Sequence, residues 1–297
     1  MNRTIRSGLA LALFFFWHSI TLQPAAAGVV VGGWDLARGG TGSVKDSPEQ
    51  AGVRSLIATI SPGATLTASN TLTDPYLSSI DVLLIGGQFA DGVFITALSA
   101  SEQSALFNFV SAGGNAAIVT EREPQGGPGG DAVRESLIDP FGMDTMGDSH
   151  APTATFVNAL HPIANGPFGA ITQFGLNAAG WYNNLGPYAV PLATEDFFGQ
   201  PVLAVIEAGA ISPTSGRVVF LSDGNALDAG SFNSLALAGN TLAYLISVPE
   251  PSSRTSMALL AAIGALGVGY RRMRPTMASV EIRATESCLI GEVCDPA

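Results

Sequence analysis

The chain has 297 residues, 47% hydrophobic and 12% charged, which is too apolar and too weakly charged for a disordered acidic polymer. Its 35 glycines and 18 prolines follow no Gly-X-Y period, so collagen is excluded and a loop-rich globular domain is expected. Residues 28–247 hold six Lys/Arg against nineteen Asp/Glu, a net charge of −13 that argues against nucleic-acid binding; with no cysteine there, a disulfide framework, a thiol nucleophile and a thiolate metal site are excluded from that segment.

Residues 1–27 read as a secretory signal peptide. Arg3 and Arg6 make a positive start, residues 8–17 are a short apolar run, and Ala25 and Ala27 form a small-x-small cleavage pattern. The competing reading is an uncleaved anchor, for which the run is short. Residues 29–33 (VVVGG) then make a buried-strand run ending in a glycine turn. Residues 48–60 fit a helix that Ser47 caps and Pro48 opens, with Val53, Leu56, Ile57 and Ile60 on one stripe. Residues 65–68 form a weak strand and 81–85 (DVLLI) a strong one before Gly86-Gly87.

Ser99 and Glu102 form a capping box at the head of a helix reaching about Ser111, with Leu106, Phe109 and Val110 turned inward. Gly113-Gly114 closes it, and 115–120 (NAAIVT) is the next strand. A short helix is predicted at 131–138 and strands at 154–157, 171–174, 190–193, 202–207 and 217–222. The last helix runs over about 232–246 and offers Leu235, Leu242 and Leu245 to the core. Alternation of apolar strands and helices predicts a parallel sheet covered on both faces, with several of the strands after residue 150 pairing antiparallel at one side.

The C-terminal region has three parts in order: Pro249-Glu250-Pro251, a charge-free run at 255–270, and Arg271-Arg272-Met273-Arg274. As a helix, 255–270 spans about 24 Å, and Arg254 and Arg271 could snorkel to the two faces of a core of roughly 30 Å. The positive-inside rule puts the arginine cluster in the cytoplasm and residues 28–247 outside it. This arrangement resembles the PEP-CTERM sorting signal of Gram-negative bacteria. The resemblance implies a sorting signal at 248–274 with a transmembrane helix at 255–270. It also implies processing by an exosortase after export, release or re-anchoring at the cell surface, and an association with exopolysaccharide and biofilm. Pro249, Glu250, Pro251, Arg271 and Arg272 carry the motif. An ordinary single-pass anchor behind a Pro-rich linker is the plain alternative. Residues 275–297 extend beyond the usual end of the motif and are expected to be disordered. Their Cys288 and Cys294 could form a disulfide or half a metal site, although a stable disulfide is disfavoured in the cytoplasm.

Residues 80–120 (IDVLLIGGQFADGVFITALSASEQSALFNFVSAGGNAAIVT), with His161-Pro162-Ile163 and 216–225 (GRVVFLSDGN), resemble class I glutamine-amidotransferase-like domains, including the ThuA-like group. The resemblance implies a flavodoxin-like sheet. Catalytic members carry a cysteine on the tight turn after the strand matching 116–120. Here that turn reads Thr120-Glu121-Arg122-Glu123, so amidotransfer has no thiol.

Ligands of open α/β sheets lie beyond the carboxyl ends of the strands, where Asp35, Gln88, Glu121, Arg122, Asp223 and Asn225 are predicted. Asp35, Asp223 and Asn225 suit caps and turns. Glu121 could act as acid or base with Arg122 orienting an anion, or the two could be a solvated loop pair. His150 and His161 with Asp144 or Asp148 could supply metal ligands, though spacing does not bring them together. Ser149 beside His150 lacks a G-x-S-x-G turn, and His161 before Pro162 suits a structural role. Residues 126–130 (GGPGG) lack the Lys-Ser/Thr of a phosphate loop and suit a lid or surface loop. Trp181, Tyr182 and Tyr188 could stack on sugar rings or plug the core edge.

No cofactor or metal is expected. The missing cysteine, low charge and acidic surface favour a non-enzymatic surface protein. The competing readings are an extracellular hydrolase of a glycan-related substrate, with Glu121, Asp223 and His150 as candidate catalytic groups, and a plain membrane-anchored domain.

Overall fold

The computed structural model describes residues 28–85, 89–90, 93–94, 96–121, 128–177, 179–224 and 233–247. The signal-like start, the sorting segment with its apolar run, the tail, and the predicted site residues Gln88, Arg122 and Asn225 lie outside them. Among the described residues no helix is long and apolar enough to cross a membrane.

The chain opens with β1 (Val30–Gly33), α1 (Leu36–Gly39), α2 (Ala51–Ile60), β2 (Thr65–Leu66), α3 (Asp74–Leu77) and β3 (Val82–Ile85). There follow β4 (Phe89–Ala90), β5 (Val93–Phe94), α4 (Ala100–Ser111), β6 (Asn115–Val119), α5 (Pro128–Ile138), β7 (Asp144–Ser149) and β8 (Thr153–Phe156). The remainder is β9 (Asn165–Gly166), β10 (Gly169–Ala170), β11 (Gln173–Gly175), β12 (Ala179–Asn184), β13 (Val190–Glu195), β14 (Pro201–Ile206), β15 (Val218–Leu221) and α6 (Ser234–Ile246).

The local signals act as expected. Ser47 caps a 3-10 turn opened by Pro48 that runs into α2, and Ser99 and Glu102 form the reciprocal capping box of α4. The predicted helix at 131–138 begins earlier, with Pro128 in its first turn, so Pro128-Gly129-Gly130 belong to α5 rather than to a loop.

Nine strands form one sheet in the order β11-β8-β13-β14-β15-β6-β3-β1-β2. β2, β1, β3, β6 and β15 are parallel, and taken in chain order they follow the 2-1-3-4-5 pattern of a flavodoxin-like sheet. β14, β13, β8 and β11 continue the sheet antiparallel. The sheet is therefore mixed, and the antiparallel side falls where the sequence places closely spaced strands. Short connections such as the turn from Glu195 to Gln200 allow only antiparallel neighbours, because a parallel return needs a long crossover.

Alternation along the central strands divides the core. Val82, Leu84, Ala117, Val219 and Leu221 pack with Leu56 and Ile57 of α2 and with Leu237, Leu242 and Leu245 of α6. Leu83, Ile85, Ala116, Ile118, Val218 and Phe220 face Leu106, Phe109 and Val110 of α4 and Val133 and Leu137 of α5. Leu235 departs from expectation: it is exposed in the first turn of α6, and Leu237 takes the inward position. β7 pairs with β12 in a separate ribbon. No apolar run announces β7 (DTMGDS), and the aromatics at 181–182 stand on a strand.

Candidate functional site

The carboxyl ends of β6 and β15 lie side by side. β6 leads into Thr120, fully buried, and then Glu121, whose φ of 57° is left-handed. That backbone costs roughly 1–2 kcal/mol for a residue with a Cβ. The Glu121 side chain turns across to the end of β15, where its Oε1 accepts the Gly224 N–H at 2.9 Å. Asp223 is fully buried beside it, and its Oδ2 accepts the Asn177 N–H at 2.6 Å. The Ser222 hydroxyl donates toward the carbonyls of Gly180 and Val202, at 2.9 and 3.1 Å.

Tyr182 closes this end from β12, with its phenol 3.2 Å from the Thr120 hydroxyl. Burial, more than the Thr120 hydrogen bond can offset, pushes the phenol well above its ordinary value, and Glu121 adds to the rise. The phenol therefore stays protonated. It gives the strand ends a neutral hydrogen-bonding group and no base.

The Glu121 side chain thus reaches the Asp223-Gly224 turn through the Gly224 N–H. His150 is exposed at the end of β7, where neighbouring Ser149 pairs with Ala179. His161 stands elsewhere. Its Nδ1 accepts the Ile163 N–H at 3.2 Å, which leaves the proton on Nε2, 3.1 Å from Glu207 Oε1. Glu207 also accepts the Tyr244 phenol at 2.6 Å, and it follows Ile206, which pairs with Val218 at the start of β15. His161 therefore sits at the amino ends of the parallel strands, opposite Glu121. Burial lowers its basicity more than Glu207 raises it. Among the described residues, no three His, Cys, Asp or Glu side chains converge in a way that could hold a metal ion.

At the end of β1, Asp35 caps α1 by accepting the Arg38 N–H at 3.0 Å. The Arg38 guanidinium lies 4.0 Å from the centroid of buried Trp34 and pairs with Glu102. It also donates to the carbonyls of Asn70 at 2.8 Å and Thr96 at 3.1 Å. Glu102 in turn accepts the N–H groups of Ser99 at 2.9 Å and Leu72 at 3.1 Å. Burial alone would raise the Glu102 carboxyl; Arg38 and these donors outweigh it and hold it low. Sequence reasoning missed this hub. With six basic residues in the whole segment, one placed just after a buried strand and a tryptophan was the available signal.

The aromatic trio takes the packing role. Tyr182 is buried edge-on to Phe220, and Trp181 and Tyr188 pack against the core clusters. Trp181 lies over Gly147, where a Cβ would meet its ring at 2.3 Å.

Residues 247–274 match the PEP-CTERM protein-sorting motif, which indicates export and sorting toward the cell surface or extracellular space. Among curated proteins none matches the chain significantly. Among solved structures the chain is similar to a ThuA-like protein from Bacteroides uniformis, with 13% identity and a TM-score of 0.48, over 78% of this chain and 97% of that one. It is similar to a GMP synthase component from Thermoplasma acidophilum, with 8% identity and a TM-score of 0.45, over 74% and 95%. It is also similar to a β-galactosidase from Bacillus circulans, with 12% identity and a TM-score of 0.47, over 75% of this chain but 31% of the enzyme.

Proposed function

We propose that this protein carries an N-terminal signal peptide over residues 1–27, crosses the inner membrane, and is held there transiently by a helix over 255–270. An exosortase then acts at the signal around Pro249-Glu250-Pro251, and residues 28–247 serve at the cell surface or outside it as a non-catalytic binding or structural module associated with exopolysaccharide. The supporting observation is the sorting motif at 247–274, which starts where α6 ends at Ile246. The absence of any cysteine from 28–247 favours the non-catalytic role. The test is fractionation with intact-mass measurement in a host with and without its exosortase. The expected mature chain starts near Gly28 and lacks Arg271 and Arg272 when the exosortase is present. A surface chain that retains Tyr270 and Arg271 in both hosts overturns processing and leaves an ordinary anchor.

One observation favours a second reading, a hydrolase of an extracellular glycan-related substrate. Glu121 occupies a strained turn at a strand end beside buried Asp223, and backbone strain of this kind concentrates at functional sites. Loss of glycan hydrolysis by the full chain on Glu121→Gln, with unfolding unchanged, would support it; full activity in that variant would sink it.

A further inference from the structure

The antiparallel wing of the sheet carries a polar row on one face. Thr155 in β8 pairs with Gln173 in β11 on one side and with Thr194 in β13 on the other, so these three side chains share a face. Their chain neighbours Ala154, Phe174 and Ala193 turn the other way, into the core. The row is exposed or half-buried and spans two strand spacings, about 10 Å. Gln173 Nε2 donates to the Thr155 hydroxyl at 2.9 Å, and that hydroxyl donates to Asp196 Oδ1 at 2.7 Å. The Thr153 hydroxyl donates to Asp196 Oδ2. A carboxylate has about four acceptor positions, so exposed Asp196 keeps acceptor capacity toward solvent.

Phe197 and Phe198 follow Asp196 directly. They are 61% and 70% exposed, with ring centroids 6.4 Å apart at 84°. Buried Glu195 holds their turn by accepting three N–H groups, so the backbone that displays the rings is ordered before any ligand arrives. Residues 135–216 contain no Lys or Arg, so the wing offers no such counter-charge to a phosphate, sulfate or uronate. An apolar protein surface or a lipid bilayer would cover the rings but strip water from Asp196 without compensation. A sugar chain meets both demands: its C–H faces stack on phenyl rings, and its hydroxyls donate to a carboxylate and bond with amides. The geometry points to a binding site for a neutral polysaccharide, with Phe197 and Phe198 as stacking platforms and Asp196 and Gln173 as polar contacts. This rests on the reading of residues 28–247 as a binding module, and it names the surface and the class of partner.

Affinity electrophoresis of the full chain through gels containing dextran, galactomannan or mixed-linkage β-glucan, with alginate as the anionic control, tests this. At least one neutral polymer should retard the wild type, and alginate should not. Phe197→Ser and Phe198→Ser change exposed side chains and should leave thermal unfolding in place. Each should weaken retardation by about three- to tenfold, the worth of one stacked ring, whereas Phe197→Tyr keeps the ring and should retain binding. Gln173→Ala removes the edge amide and should weaken retardation by a similar factor; it decides the matter if a serine variant misfolds. Phosphatidylcholine vesicles form the second arm. The wild type and the double serine variant should associate with them equally, because the apolar run at 255–270 is common to both. Neutral-polymer retardation that the double variant leaves unchanged overturns the inference and leaves the binding-module reading standing. A wild type that no neutral polymer retards, or that alginate retards equally, overturns it too, as does vesicle association that falls with the phenyl rings. The sorting part of that reading keeps its own test in the exosortase host.

Discussion

Glu121 and Gly224 are locked together: the carboxylate Oε1 accepts the glycine N–H at 2.9 Å, and a Cβ at position 224 would stand 2.1 Å from that oxygen. The contact ties the strained end of β6 to the end of β15. Gly224→Ala must therefore displace the Glu121 carboxylate, the far end of a flexible side chain that can swing aside, and weaken the bond. The expected loss is about 1 kcal/mol, read as a lower urea midpoint. Glu121→Gly removes the same bond but relaxes the left-handed backbone, so it should cost less than Glu121→Ala.

Glu102 joins the start of α4 to Arg38 and to the Leu72 N–H. Glu102→Ala removes the capping box and leaves the guanidinium without its carboxylate. Both side chains are about a tenth exposed, so the loss should fall near the low end for a broken buried pair, about 3 kcal/mol in urea unfolding. Its carboxyl is held low in the folded state. The stabilisation is therefore complete above the unfolded value and fades as pH falls through the folded one.

His161 makes stability depend on pH in a different window. Burial depresses its affinity for a proton in the fold, so the unfolded chain binds more protons once the pH drops below about 6.5. Its contribution is complete above that point and declines as the pH falls from there toward the folded value. Glu135 and Asp139 act in the opposite sense, because burial first and Asp144 second raise their carboxyls. The clean readout is a comparison: between pH 7.5 and 5.5 the urea midpoint of the wild type should fall more steeply than that of His161→Gln. Parallel slopes would show that His161 is not the source.

Glu195 shapes the turn between β13 and β14. It is 1% exposed, and its carboxylate accepts the N–H groups of Phe197, Phe198 and Gln200 at 2.9, 2.7 and 3.0 Å. The two phenyl rings are thereby presented outward at 61% and 70% exposure. Glu195→Ala strands those donors and should cost about 2–3 kcal/mol. Amide exchange at Phe197 and Phe198 should quicken more than at Leu203 in β14; uniform exchange would contradict this account.

The helix starts at Ser47 and Ser99, the apolar central strands and the sorting motif were legible because each depends on neighbours a few positions apart. Alternation along residues 82–85 and 116–119 likewise revealed two-sided burial, since successive side chains of a strand face opposite ways. Thr120 and Tyr182 are 62 positions apart, Arg38 and Glu102 are 64, and Glu121 and Gly224 are 103. No periodicity links such pairs. β7 escaped notice because its residues are nearly all polar or small and its partner β12 lies across a long excursion. The strand order set β6 against β15, and with it Glu121 against Gly224. Local chemistry determined which segments would be strands, helices and sorting signal; only the way they close on one another decided which side chains meet, because the free energy that selects those meetings comes from burial shared across the whole sheet.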